Sequence, residues 1–126
     1  MYGVQVTSAG DNRFNVRSKG YEFSIATDGT GVTPPDALLA GLAGCIGIYI
    51  RKYADGAKLG LGDFTVNIEA DLGKEAPFYF RQINVSVDLK GAKLDERRKK
   101  AILDFVRKCP VHNTLKNDPV ITIALS

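Results

Sequence analysis

TPPDALLAGLAGCIGIYI, residues 33–50, groups three glycines (41, 44 and 47) around a single cysteine, Cys45. The stretch opens as a helix does. Thr33 is a good N-cap, Pro34 suits the first helical position, and Asp36 completes a T-x-x-D variant of the capping box. The pattern predicts a helix running to about Tyr53. Between Leu38 and Ile50 it is apolar on nearly all sides, which calls for burial on nearly all sides.

Interior glycine weakens such a helix. Each costs about 1 kcal/mol relative to alanine, so the three together cost roughly 3 kcal/mol. Spaced three apart, they lie along one slowly drifting ridge. A ridge without side chains lets another backbone approach closer than the usual spacing of about 8–10 Å between helix axes. A chain of 126 residues with one sheet has little else to wrap around this helix, so the ridge is expected to pack against its twin in a symmetric dimer. The alternative is that the second helix or the sheet of the same chain fills the groove.

Outward from this helix the pattern changes to period two. Three short antiparallel strands are expected at about residues 2–8, 13–18 and 21–26, separated by the turn signals GDN and KG. Two longer strands follow at 64–72 and 78–90, joined at GKEAP, and PVITIAL (119–125) reads as a last strand with Pro119 at its start. A second helix begins at Asp95, with Ala101, Ile102, Phe105, Val106 and Cys109 as its apolar stripe. Pro110 stops it, and PVHNTLK forms one more turn. The fold class is α+β, a single domain over residues 1–126 built on an antiparallel sheet.

Composition narrows the functions. The chain is 44% hydrophobic and 25% charged with net charge +3. That bias is too small to argue for nucleic acid, and the basic KLDERRKK run fits the exposed face of an amphipathic helix. No basic region followed by an apolar run opens the chain, and the uncharged run Ala37–Ile50 is shorter than the ~17–25 residues of a membrane span. A cytoplasmic location, with neither nucleic acid nor membrane as partner, is the expectation. One histidine and no C-x-x-C leave too few ligands for a metal site.

Cys45 and Cys109 lie 64 positions apart. In a reducing compartment they are two unrelated buried thiols or a redox couple. Cys45 sits mid-helix among small residues, which leave a channel over the sulfur or simply fill space. Cys109 ends one helix and is placed to N-cap the next turn, with Arg107 and Lys108 alongside, a setting that lowers a thiol pKa. The other reading is a helix-ending cysteine facing the core.

T-P-P-D-A-L-L-A-G-L-A-G-C (33–45) followed by C-P-V-H (109–112) resembles the OsmC/Ohr family, the osmotically inducible protein C and organic hydroperoxide resistance proteins. The order of strands and helices agrees over nearly the whole chain. The resemblance implies an intertwined homodimer, with antiparallel sheets around long central helices. It implies a thiol peroxidase acting on organic hydroperoxides, with Cys45 peroxidatic and Cys109 resolving. The Cys45 thiolate would attack the O–O bond, release an alcohol and become a sulfenic acid, which Cys109 condenses to a disulfide. An external dithiol, of lipoyl type in some members, would reduce it; no cofactor is called for. An apolar channel lined by Leu38, Leu42, Ile46 or aromatic residues would favour bulky peroxides.

The resemblance also implies an arginine that stabilises the thiolate. Arg13, beside a turn, is the first choice and Arg17 the second, each also readable as a surface strand charge. The glutamate that the family often places ten residues before its first cysteine is Pro35 here. Asp36 stands nine before; at about 100° per residue it falls on the side of the helix opposite Cys45. It is a helix cap or a substitute for that acid. His112 is a neighbouring base for Cys109 or a surface turn residue. Beside the peroxidase stand two other classes: a binding or redox-sensing protein on the same fold, and a nucleic-acid adaptor.

Overall fold

A computed structural model describes Met1–Ser126. The order of elements is β1 (Gln5–Ser8), β2 (Phe14–Ser18), β3 (Tyr21–Ile25), α1 (Pro34–Gly56), β4 (Thr65–Ala70), β5 (Ile83–Asp88), α2 (Glu96–Val106) and α3 (Pro110–Lys116). The architecture is α+β, with antiparallel sheets and one long helix. Two compact units divide the chain, Met1–Leu39 and Ala40–Ser126.

In the first unit β1, β2 and β3 form an antiparallel sheet in that order. Val6 pairs with Val16 and Val16 with Phe23, so one face collects the apolar residues that alternation predicts. Val16 of β2 and Ala26, just past β3, are the buried hydrophobic residues of this unit.

The second unit holds the larger core. Leu42, Ile46, Ile50 and Ala54 recur every four residues along α1 and are buried with Leu61 and Ile102. That spacing keeps them on one stripe of the helix. β4 and β5 pair antiparallel, with Ile68 opposite Val85 and Val66 opposite Val87. Val66, Ile68 and Ile83 of that ribbon pack against the core. Arg51 fastens the connection after α1: its guanidinium donates to Leu61 O at 2.5 Å and Gly62 O at 2.8 Å, and lies 5.1 Å from the Phe64 ring centroid.

Helix starts follow the capping residues. Asp36 N–H donates to Thr33 Oγ1 at 3.2 Å, and Arg98 N–H donates to Asp95 Oδ1 at 2.8 Å. The basic run of α2 lies on an exposed face, where Lys99 pairs with Glu96 and both Lys100 and Arg107 with Asp104.

Four expectations change. α1 continues to Gly56, past Tyr53, and at 23 residues it is long and apolar enough by length and composition to cross a membrane; the span argument from residues 37–50 took too short a segment. Burial is one-sided: within the chain Leu38 remains 43% and Ile48 58% exposed, because the ribbon and α2 cover only the Leu42–Ala54 stripe. The strand expected at 78–90 begins at Ile83, since β4 ends at Ala70 and Gly73 turns the chain with φ +81°, leaving residues 78–82 no partner. Residues 119–125 form no strand at all. Their alternation is intact, but no β-strand of the same chain lies beside them.

Ile50, 1% exposed, anchors the core stripe. Ile50→Ala is expected to lower unfolding free energy by about 2–5 kcal/mol, read as a lower denaturant midpoint at unchanged slope; a loss under about 1 kcal/mol would mean that the stripe is not the core.

Candidate functional site

Two aromatic contacts lock α1 to α2 beside the cysteines. Tyr49, one turn after Cys45, meets Phe105, one turn before Cys109, with ring centroids 5.6 Å apart; Tyr53 meets the same ring at 5.7 Å. Both are tilted pairs, the geometry that aromatic quadrupoles favour. Arg98 extends the seam by donating to Tyr53 Oη at 3.2 Å. Ile102 of α2 belongs to the same core cluster as Ile46 of α1. Helices so joined leave the two cysteines side by side.

Cys45 and Cys109 lie in disulfide contact, with Cα atoms 6.0 Å apart. This is the usual Cα separation of a disulfide. Of the two readings left open by the sequence, unrelated thiols or a redox couple, the structure speaks to proximity: the two sulfurs are within disulfide distance. Their surroundings differ. Cys109 is fully buried, at 0% exposure, whereas Cys45 is half-buried. Cys109 is the N-cap of α3: its Sγ accepts the His112 backbone N–H at 3.4 Å, and its carbonyl accepts Asn113 N–H at 3.0 Å. No hydrogen bond reaches Cys45 Sγ.

His112 therefore acts on Cys109 through its main chain. Its ring Nδ1 lies 3.4 Å from Asn113 Oδ1, and its hydrogen bond to Cys109 Sγ comes from the backbone N–H and not from the ring. The signal for the N–H contact was present in C-P-V-H, where the third residue after an N-cap supplies an orphan donor.

The glycine ridge divides. A Cβ at Gly47 would meet Val66 Cγ2 at 3.6 Å and Phe64 at 3.9 Å, so the same chain fills that position. Gly41 and Gly44 meet nothing within 4 Å. A groove of about 380 Å³ is lined by Leu42, Ile46, Phe80, Ile83, Val85 and Leu115, with Arg81, His112 and Lys116 also on its wall; neither cysteine lines it. Leu42 and Ile46 are among the expected channel residues. Leu38, also expected there, does not line it, and the contribution of Phe80 and β5 was missed because no local pattern ties them to Cys45.

The remaining candidates belong to Met1–Leu39. Asp36 is exposed in the first turn of α1, with no ion pair or side-chain hydrogen bond. Arg17 is engaged by Glu22, at 2.6 Å from Nε and 2.5 Å from Nη2. Arg13 has no ion pair, and its N–H donates to Asp11 Oδ1 at 3.0 Å. Asp28 is held below the usual carboxylate range, first by its hydrogen bonds from Thr30 and least by the charge of Arg13. No group of three or more His, Cys, Asp or Glu stands together as a metal site would require.

Known proteins resemble the chain in sequence and in fold. A hydroperoxide reductase of Mycoplasma genitalium is 27% identical over 133 aligned positions, covering 99% of this chain and 94% of its own. The crystal structure of an OsmC-like protein from Mycoplasma pneumoniae superposes with TM-score 0.79 at 23% identity, over 94% of this chain and 89% of that one. An organic hydroperoxide resistance protein from Legionella pneumophila superposes with TM-score 0.65 at 19% identity, over 94% and 92%. Residues 27–124, which carry α1, both cysteines and the C-terminal helices, match the OsmC-like protein family, and the chain belongs to it.

Proposed function

We propose that the protein is a thiol peroxidase that reduces organic hydroperoxides to alcohols. The observation that carries this is the Cys45–Cys109 pair, brought into disulfide contact. The relative that is a hydroperoxide reductase supports the same chemistry.

Cys45 is the attacking sulfur in this reading. It has the exposure that Cys109 lacks, and its thiolate displaces an alkoxide from the O–O bond to give a sulfenic acid. Cys109 condenses with that acid, releasing water and closing the disulfide. The apolar wall of Leu42, Ile46, Phe80, Ile83 and Val85 binds the organic group, which hydrogen peroxide lacks. Arg81, His112 and Lys116 suit a substrate with a polar end. Arg13, free of ion pairs, is the arginine assigned to the thiolate. Asp36, without a side-chain partner, is assigned to the helix start. An external dithiol, of which a lipoyl group is one form, returns the disulfide to two thiols.

A homodimer completes the reading. Gly41 and Gly44 present open backbone, Leu38 and Ile48 are exposed on the same helix, and the C-terminal segment leaves Val120, Ile121, Ile123 and Leu125 at 79–99% exposure. So much apolar surface on one small chain points to a second copy. A binding or sensing protein remains the contrasting class; it would keep the couple without turnover.

Turnover decides between them. With dihydrolipoamide as reductant, wild-type protein is expected to consume tert-butyl hydroperoxide with kcat/KM about a hundredfold above that for hydrogen peroxide, while Cys45→Ser falls to background. Arg13→Ala is expected to lose about a hundredfold and Arg17→Ala little, as removal of one charge-stabilising donor costs about 10²–10³. Absence of wild-type turnover with either peroxide would reject the peroxidase. Sedimentation tests the dimer: wild type should run as a dimer, and Gly44→Leu, at a position where an added Cβ meets nothing within 4 Å in its own chain, as a folded monomer. A dimer unaffected by Gly44→Leu would place the interface elsewhere.

A further inference from the structure

We infer that Phe105 is a positioning residue for disulfide closure: it holds Cys109 where a Cys45 sulfenic acid can reach it, and it has no part in the attack on peroxide. This deepens the peroxidase reading and rests on it for the step it names.

The two cysteines are held in different ways. Cys45 lies in the middle of the 23-residue α1, where the helix's own hydrogen bonds fix its main chain. Cys109 lies past the end of α2 and just before α3, so its place depends on how that junction is gripped. Phe105 is the grip. Its ring meets Tyr49, four residues after Cys45, at 5.6 Å, and Tyr53 at 5.7 Å. Residues four apart share a helix face, so Tyr49 lies on the same side of α1 as Cys45. From Phe105 to Cys109 the chain has little slack. Lys108 N–H donates to Phe105 O at 3.0 Å, and Cys109 N–H donates to Val106 O at 3.1 Å. A displaced ring moves the sulfur with it.

The effect is local. Without the ring, α2 stays in the core through Ile102 and Val106, and α3 through Val111. The unit keeps its core while the junction loses its register against α1. Attack on peroxide forms a bond at Cys45 alone and does not need Cys109 in place. Phe105 is also absent from the lining of the apolar groove.

Closure is an intramolecular displacement. The Cys109 thiolate forms a bond to Cys45 Sγ as the sulfenic S–O bond breaks, and the oxygen leaves as hydroxide, which takes up a proton to become water. The Cys45 sulfur is reduced as the Cys109 sulfur is oxidised, and no other reductant enters. Such a step depends steeply on placement: a shift of about 1 Å can cost about a hundredfold. Delay also has a chemical outcome. The waiting sulfenic acid takes an oxygen atom from a second hydroperoxide, giving a sulfinic acid and a second alcohol.

Phe105→Leu removes the ring and keeps an apolar side chain, whereas Phe105→Tyr keeps the ring. The reduced proteins are mixed rapidly with cumene hydroperoxide; alcohol release reports the attack, and loss of the Cys109 thiol reports closure. In Phe105→Leu the attack should stay within about twofold of wild type while closure slows about tenfold or more. Sulfinic acid on Cys45 should then rise with peroxide dose, and Phe105→Tyr should close as wild type does. Closure at the wild-type rate in Phe105→Leu, or attack slowed as much as closure, would overturn the inference.

A second readout needs no peroxide. Each protein is equilibrated with mixtures of reduced and oxidised dithiothreitol, and the fraction of disulfide is measured. Half-reduction of Phe105→Leu should come at a ratio of reduced to oxidised reagent about tenfold below that of wild type. A ring that only stabilised the fold would weaken reduced and oxidised forms alike and leave that midpoint unmoved, which would overturn the inference. If Phe105→Leu does not fold, Tyr53→Leu, which removes one ring contact from the α1 side, should move both readouts in the same direction; no movement would overturn it equally. A shifted midpoint in a protein without turnover would uphold the placement of Cys109 by Phe105 and reject the enzyme. An unmoved midpoint in an active peroxidase would do the reverse.

Discussion

The seam between α1 and α2 is the constraint on which the site depends. Two cysteines 64 residues apart meet only because Tyr49 and Tyr53 of one helix clasp Phe105 of the other, and because Ile46 and Ile102 share a core. The aromatic contacts sit one turn from each sulfur, so the packing that stabilises the unit also sets the distance of 6.0 Å between the Cα atoms. Stability and chemistry are served by the same few side chains. What differs between the sulfurs is supplied by α3, whose first turn buries Cys109 and gives it a main-chain donor.

The cost of the glycines is met in two ways. Gly47 gives room to Val66 and Phe64, a use within the chain. Gly41 and Gly44 have no such use within it, and they lie on the side of α1 where Leu38 and Ile48 are also exposed. A helix that costs about 1 kcal/mol at each glycine and then leaves two of them bare is suited to a partner backbone. In the proposed homodimer the uncovered residues 119–125 are a second such surface. Their apolar alternation has no strand beside it.

Local signals were read well from sequence. Thr33, Asp95 and Cys109 mark helix starts because capping is decided by residues within one turn, and β1 to β4 follow from alternation bounded by turn residues. Alternation is a weaker guide to pairing: it placed strands at 78–82 and 119–125, where the residues suit a strand but no neighbour exists. The motifs singled out Cys45 and Cys109, and the resemblance paired the two residues that the structure brings within disulfide distance. The rest of the groove was not legible, because Ile83 and Val85 reach it through the register of β5 against β4, and Phe80 and Arg81 through the unpaired segment before β5, long-range facts without a short-range signature. His112 was legible by position but not by role, since its backbone and not its ring serves Cys109.

The most direct test of the proposed cycle is to count free thiols over seconds after adding one equivalent of cumene hydroperoxide to the reduced protein. The account predicts rapid loss of both thiols in the wild type, no loss in Cys45→Ser, and a sulfenic acid trapped on Cys45 in Cys109→Ser. Survival of both wild-type thiols in a large excess of peroxide would contradict it.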